Sequence, residues 1–197
     1  MSPRRPPTLR QEQQAATRQR LLDAARESFV KTGFISTTVD EIAEAAGTSR
    51  ATFYLHFKSK VDALAHTWQE VDLPEVDALF REFDRGADFT WAATRLWVDR
   101  MVTYWENHGR IALTANQALS LEPELAEDWL QGMTRVANDM PNLQAKLGGD
   151  DESVTRILVR VIQMERTLYF WTNTAFPYSR EHLVSSLTSE WAVDDAH

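Results

Sequence analysis

Between positions 48 and 60 the chain carries Thr48, Ser49, Arg50, Thr52, Tyr54, His56 and Lys60. Their hydroxyl, guanidinium, phenol, imidazole and ammonium groups are suited to hydrogen-bonding base edges and phosphates. They do not compose a reaction. The five histidines (His56, His66, His108, His182 and His197) lack metal-ligand spacing, and there is no cysteine to supply a thiolate or a disulfide. No Gly-rich phosphate loop, nucleophile elbow or paired-carboxylate motif stands out. Glu122 and Glu124 beside Pro123 read as helix-start charges. The expected chemistry is therefore recognition without catalysis, cofactor or metal.

Two short helices must hold those groups. Thr38 and Glu41 have capping-box spacing, each able to satisfy the other's amide. Val39, Ile42, Ala43 and Ala46 then share a face at helical spacing. Gly47 follows, where a chain leaving a helix often needs positive φ. Thr48 or Ser49 can cap the next helix. On it Phe53 and Phe57 point inward, leaving Arg50, Thr52, Tyr54 and His56 on or near the outer side. Ser59 caps a further helix with Lys60 at its positive end, a suitable phosphate clamp. This is the layout of a helix-turn-helix, whose second helix enters the DNA major groove. An ordinary αα-hairpin would show similar caps.

The run Thr-Thr-Val-Asp-Glu-Ile-Ala-Glu-Ala-Ala-Gly-Thr-Ser-Arg-Ala-Thr-Phe-Tyr-Leu-His-Phe-Lys-Ser-Lys, residues 37–60, resembles the signature of the tetracycline-repressor (TetR) family. Residues 17–34 are similar to that family's first helix, with Leu21, Leu22, Ala25 and Phe29 inward and Gly33 at its end. The resemblance covers about residues 16–70. It implies an all-α, homodimeric repressor with a three-helix DNA-binding domain and a C-terminal helical bundle, about nine helices in all. By that likeness Thr38, Ser49, Arg50, Thr52, Tyr54, His56 and Lys60 contact double-stranded operator DNA. Thr48 joins them as a candidate. The implied division is a disordered basic arm at 1–15, a helix-turn-helix domain at 16–60 and a ligand-binding and dimerisation domain at 61–197.

The net charge of −8 is unusual for a DNA binder, but it is unevenly spread. Residues 1–60 hold Arg4, Arg5, Arg10, Arg18, Arg20, Lys31, Arg50, Lys58 and Lys60, and most of the acid lies beyond them. Phosphate attraction decays over a Debye length of about 8 Å, so local charge decides. An acidic remainder would orient the basic end towards DNA. No apolar run approaches the ~18 residues of a membrane span, and the Pro- and Arg-rich start lacks the apolar stretch of a secretion signal. A cytoplasmic bacterial protein fits these features.

Beyond residue 60 the pattern is helical throughout. The fourth helix is expected from Ser59 to about Val71, a short helix over 75–83, a loop at 85–88, and a long helix over 89–107 closed by Gly109. Further helices are expected over 110–121, from Pro123 to about Leu147 with a kink or break at Pro141, over 152–175 and over 179–193. All seven tryptophans lie after the helix-turn-helix. Trp91, Trp97, Met101, Trp105 and Met133 could line a long apolar cavity between helices, or fill a compact core. Segments 115–118, 125–129 and 165–168 resemble the mycobacterial ethionamide-resistance repressors (the EthR branch). That likeness implies an elongated hydrophobic pocket at Trp97, Asn116, Trp129, Met164, Leu168 and Tyr169. Met164 stands where that branch carries an amide. Glu165 and Arg166 interrupt the apolar face and read as a structural ion-pair network or an exposed edge. The last two helices have wide apolar faces that could pair with a second copy or pack on their own chain. A hydrophobic effector would then act by shifting the fourth helix through the packing around Trp68.

Overall fold

The computed structural model describes residues 8–122 and 124–193. Contacts divide the chain into two compact units, Met1–Val71 and Asp72–His197.

In the first unit, α1 (Leu9–Thr32) packs against α2 (Val39–Ala45) and α4 (Lys60–Thr67), while α3 (Arg50–His56) packs on α2. The start of α1 corrects the expectation of a disordered arm over 1–15. A capping box between Thr8 and Gln11 initiates the helix, so residues 9–15 are helical; the remainder of the arm, residues 1–7, lies outside the described residues. Leu21, Leu22, Ala25 and Phe29 of α1, with Ile42, Phe53, Phe57 and Leu64, are all sealed from solvent. Gly47, with φ of 65°, makes the sharp turn between α2 and α3, and the Thr48 amide donates to the Ala43 carbonyl at 2.9 Å. The fourth helix ends as α-helix at Thr67 and continues as a π-helical turn over Trp68–Asp72.

The second unit contains α5 (Leu73–Gly86), α6 (Trp91–Leu119), α7 (Glu124–Asn138), α8 (Pro141–Lys146), α9 (Asp151–Asn173) and α10 (Arg180–Trp191). Among the described residues every regular element is a helix and none is a strand, as expected. The long α6 is its centre, packing against α5, α7, α9 and α10. Phe80, Phe83, Trp97, Met101, Trp105, Met140, Ile157, Leu168 and Trp191 belong to one buried apolar cluster.

Two boundaries differ from expectation and a third agrees with it. Pro74 does not delay α5, because a proline in the first turn lacks only an amide that has no helical partner anyway. Gly109 does not end the helix, which runs on for 29 residues. Its absent side chain lets α9 approach: a Cβ there would lie 2.5 Å from Thr172 Oγ1. Pro141 does divide the next span, standing at the first turn of α8. That turn is capped from another helix. Asp84 of α5 accepts the Leu143 amide at 2.8 Å and the Asn142 amide at 3.3 Å, which explains a buried carboxylate in an apolar core.

Candidate nucleic-acid interface

α3 is fixed at its start and along its inner face. Ser49 accepts the Thr52 amide at 3.1 Å, and the Ser49 and Thr52 hydroxyls lie 3.0 Å apart. Phe53 is sealed inside with Phe57, their rings 5.5 Å apart. Seven residues cannot hold a helix alone, so this packing and the cap supply the rigidity.

The outer side then presents Arg50, Ala51, Tyr54 and Leu55. Tyr54 is 46% exposed and Leu55 79% exposed. Leu55 escaped the polar reading of the sequence, although an apolar side chain can meet a thymine methyl in the major groove. Thr48, Thr52 and His56 are half-buried. Burial, and then the charge of Arg18, holds the His56 imidazole below the ordinary histidine range. Both influences favour the neutral imidazole, a hydrogen-bonding group without a charge.

Two neighbours of α3 also matter. The Arg50 guanidinium donates to Asp40 of α2 at 2.7 Å and lies 5.6 Å from the centre of the Tyr54 ring. Asp40 was not singled out in the sequence; it carried only the signal of an acid in a helix's first turn. Thr38 and Glu41 form the capping box as expected, and its hydrogen bonds hold the Glu41 carboxyl below the usual range.

Lys60 occupies a different setting from the open end of a helix. Its ammonium donates to the carbonyls of Phe34 and Thr37 at 2.6 and 2.8 Å, and sits 4.3 Å from the Phe34 ring centre. These bonds close the loop between α1 and α2. Beyond the C-terminal end of α3, Arg18 clasps Glu70 with two 2.6 Å bonds while its guanidinium covers the Phe57 ring at 5.2 Å.

The residues expected to bind a ligand lie in the second unit. Trp97, Met101, Trp105, Met164 and Leu168 are buried in the core cluster, with Met133 and Tyr169 packed against it. Trp97 donates to the Leu79 carbonyl at 3.0 Å and stacks on Phe83 at 4.1 Å. Asn116 accepts from Arg166 at 2.8 Å, joining α6 to α9. Trp129 is half-buried on α7. A shallow surface depression is lined by Asp77, Phe80, Arg81, Val136, Asp139 and Met140, none of them among these candidates. It encloses no room for even a water molecule, so it is not a small-molecule site as it stands.

The geometry of α2 and α3 agrees with the comparison to known proteins. Residues 21–66 match the family described as bacterial regulatory proteins, tetR family. They form a TetR-type DNA-binding domain. The HTH-type transcriptional regulator SrpR of Pseudomonas putida is 48% identical over 79 residues, 39% of this chain and 35% of that protein. The HTH-type transcriptional regulator EthR of Mycolicibacterium smegmatis is 30% identical over 122 residues, 58% of this chain and 49% of its own length. The chain thus spans about a third to a half of these curated relatives. A solved transcriptional regulator from Rhodococcus sp. Rha1 superposes with a TM-score of 0.67 at 22% identity, covering 88% of this chain and 92% of that one. This likeness extends the shared fold beyond the TetR-type domain. Among the described residues no helix is long and apolar enough to cross a membrane.

Proposed function

We propose that the chain is a ligand-responsive transcriptional repressor that binds a near-palindromic operator as a homodimer and leaves it when a lipophilic small molecule enters the second unit. The observation that carries this reading is the outer face of α3, where Arg50, Tyr54 and Leu55 stand exposed on a helix locked from behind by Phe53 and Phe57. The names of SrpR and EthR as HTH-type transcriptional regulators support its DNA-binding, regulatory part. The 122-residue match to EthR favours that branch, with an effector held near Trp97, Asn116, Met164, Leu168 and Tyr169.

Release by an effector requires that it bind one conformation better than another. Because the candidate residues are packed into the core, the effector must open space between α6, α7 and α9. A lipophilic molecule suits that lining, and the Asn116–Arg166 bond is the polar feature it would meet.

A second copy would pack on α9 and α10. Val159, Ile162 and Phe170 are exposed on α9, and their spacing places them on one face. Such a face covers itself when two copies meet about a twofold axis.

Gel-shift titration against a duplex from the regulated promoter tests the reading. Arg50→Ala and Tyr54→Ala should each weaken binding at least about tenfold, consistent with ~1–3 kcal/mol per base contact. Wild-type affinity in both variants would refute it.

A further inference from the structure

Arg50 is the one cation exposed on the outer face of α3 whose position is set by side chains on either side of it. Asp40 accepts from its Nη1 at 2.7 Å, the Tyr54 hydroxyl lies 3.5 Å from its Nη2, and the Tyr54 ring lies beneath its Cζ at 5.6 Å. Asp40 itself is held, because the capping box of Thr38 and Glu41 fixes the first turn of α2.

Both partners of the ion pair are more than half exposed, at 58% and 64%. Exposed pairs of this kind contribute little to folding. The contact has a different consequence. A guanidinium has five N–H donors in a rigid fork. With one nitrogen on a carboxylate and one face on a ring, its remaining donors point in a defined direction before any DNA arrives. The carboxylate also selects what those donors can meet. A DNA phosphate reaching Arg50 brings an anion towards Asp40, whereas the O6 and N7 atoms of guanine are neutral acceptors.

We propose that Asp40 is a positioning residue that makes Arg50 a reader of guanine and keeps it off the phosphate backbone. This rests on the reading of α3 as a DNA-binding helix. Specificity then comes from a residue on α2 that need not touch the DNA. Asp40→Asn leaves the helix start intact, since the cap residues are unchanged, but frees Arg50 to swing to a phosphate.

The experiment is selection of full-length wild-type, Asp40→Asn, Arg50→Ala and double-variant protein against a randomised duplex library. Anisotropy titration of the selected and a scrambled duplex follows, over a salt series. Wild type should select a guanine in each half-site that Arg50→Ala no longer requires. Asp40→Asn should bind scrambled duplex about threefold to tenfold more tightly and lose about tenfold in selected-to-scrambled ratio. Its salt slope should steepen by about one per half-site. In the Arg50→Ala background Asp40→Asn should leave the ratio unchanged, because Asp40 acts through Arg50. An unaltered ratio and guanine preference in Asp40→Asn overturns the inference while leaving DNA binding standing. So does an equal effect of Asp40→Asn with and without Arg50, which would make Asp40 a bare charge. A wild-type chain that binds no duplex in preference to scrambled overturns both the inference and the repressor reading.

Discussion

Lys60 and Glu165 show how a charged side chain takes its role from surroundings that are remote in sequence. A lysine at the start of a helix suggests a phosphate clamp. In the folded unit the three backbone oxygens nearest its ammonium belong to Phe34, Ile35 and Thr37, a loop more than twenty positions earlier. Only the path of that loop reveals the contact. Replacing Lys60 with Met should leave those carbonyls short of a donor and cost about 1–3 kcal/mol, read as a lower urea midpoint for the first unit. Glu165 presents the opposite case. It is 9% exposed and its Oε1 has no hydrogen-bond partner, while Arg166 beside it turns to Asn116. Burial pushes its carboxyl above the usual range, and Arg166 only partly offsets this. A carboxyl raised on folding binds more protons in the folded than in the unfolded state. Stability is therefore lost as pH rises from the unfolded value through the folded one, and is unaffected below both. Glu165→Gln should gain on the order of 1–3 kcal/mol over wild type at neutral pH and little at pH 4. Thermal melts of the two proteins across that range check it, and a constant difference would count against it.

The elements differ in how much of their logic is local. The start of α2 could be read directly from Thr38 and Glu41, and the inward pair Phe53 and Phe57 from their spacing, because caps and helical periodicity involve neighbours in sequence. The division at Pro141 was also legible, since proline acts on its own backbone. What caps α8 was not: Asp84 lies 58 positions before Asn142. The continuity of α6 through Gly109 was hidden for the same reason. A glycine after a polar stretch resembles a helix stop, and only the approach of Thr172 shows that it serves close packing. Gly109→Ala therefore sets two effects against each other. Helix propensity favours alanine by about 1 kcal/mol. A Cβ placed 2.8 Å from the Thr172 Cβ requires α6 and α9 to separate, costing about 1–3 kcal/mol, so the substitution should destabilise. Thr172→Ala should restore part of the loss by removing the two outer atoms. Denaturant unfolding of the single and double variants measures this coupling.

For the whole molecule, the sequence showed the all-helical class and the basic character of the N-terminal segment, which need only composition and periodicity. It left undecided whether the aromatic residues line a cavity or fill a core, since that depends on volumes between helices. The proposed assembly gives a prediction at this scale. A carboxylate at the centre of a self-complementary apolar face meets its own copy, so Ile162→Glu should convert dimers to monomers at micromolar concentration by light scattering. The same variant should lower operator affinity at least about tenfold, because paired half-sites require paired recognition helices. An unchanged mass would place any dimer contact elsewhere. The Trp97 and Trp191 rings, with centres 4.9 Å apart and planes at 61°, give the molecule an optical signature. Indole transitions at that distance and angle couple strongly enough to produce an exciton couplet in circular dichroism. That signal comes from the heart of the second unit and from no part of the first. A lipophilic compound that opens space between α6, α7 and α9 and thereby turns Trp97 relative to Trp191 would weaken the couplet while the overall helical ellipticity stays constant, providing a label-free screen for effectors that requires no operator sequence.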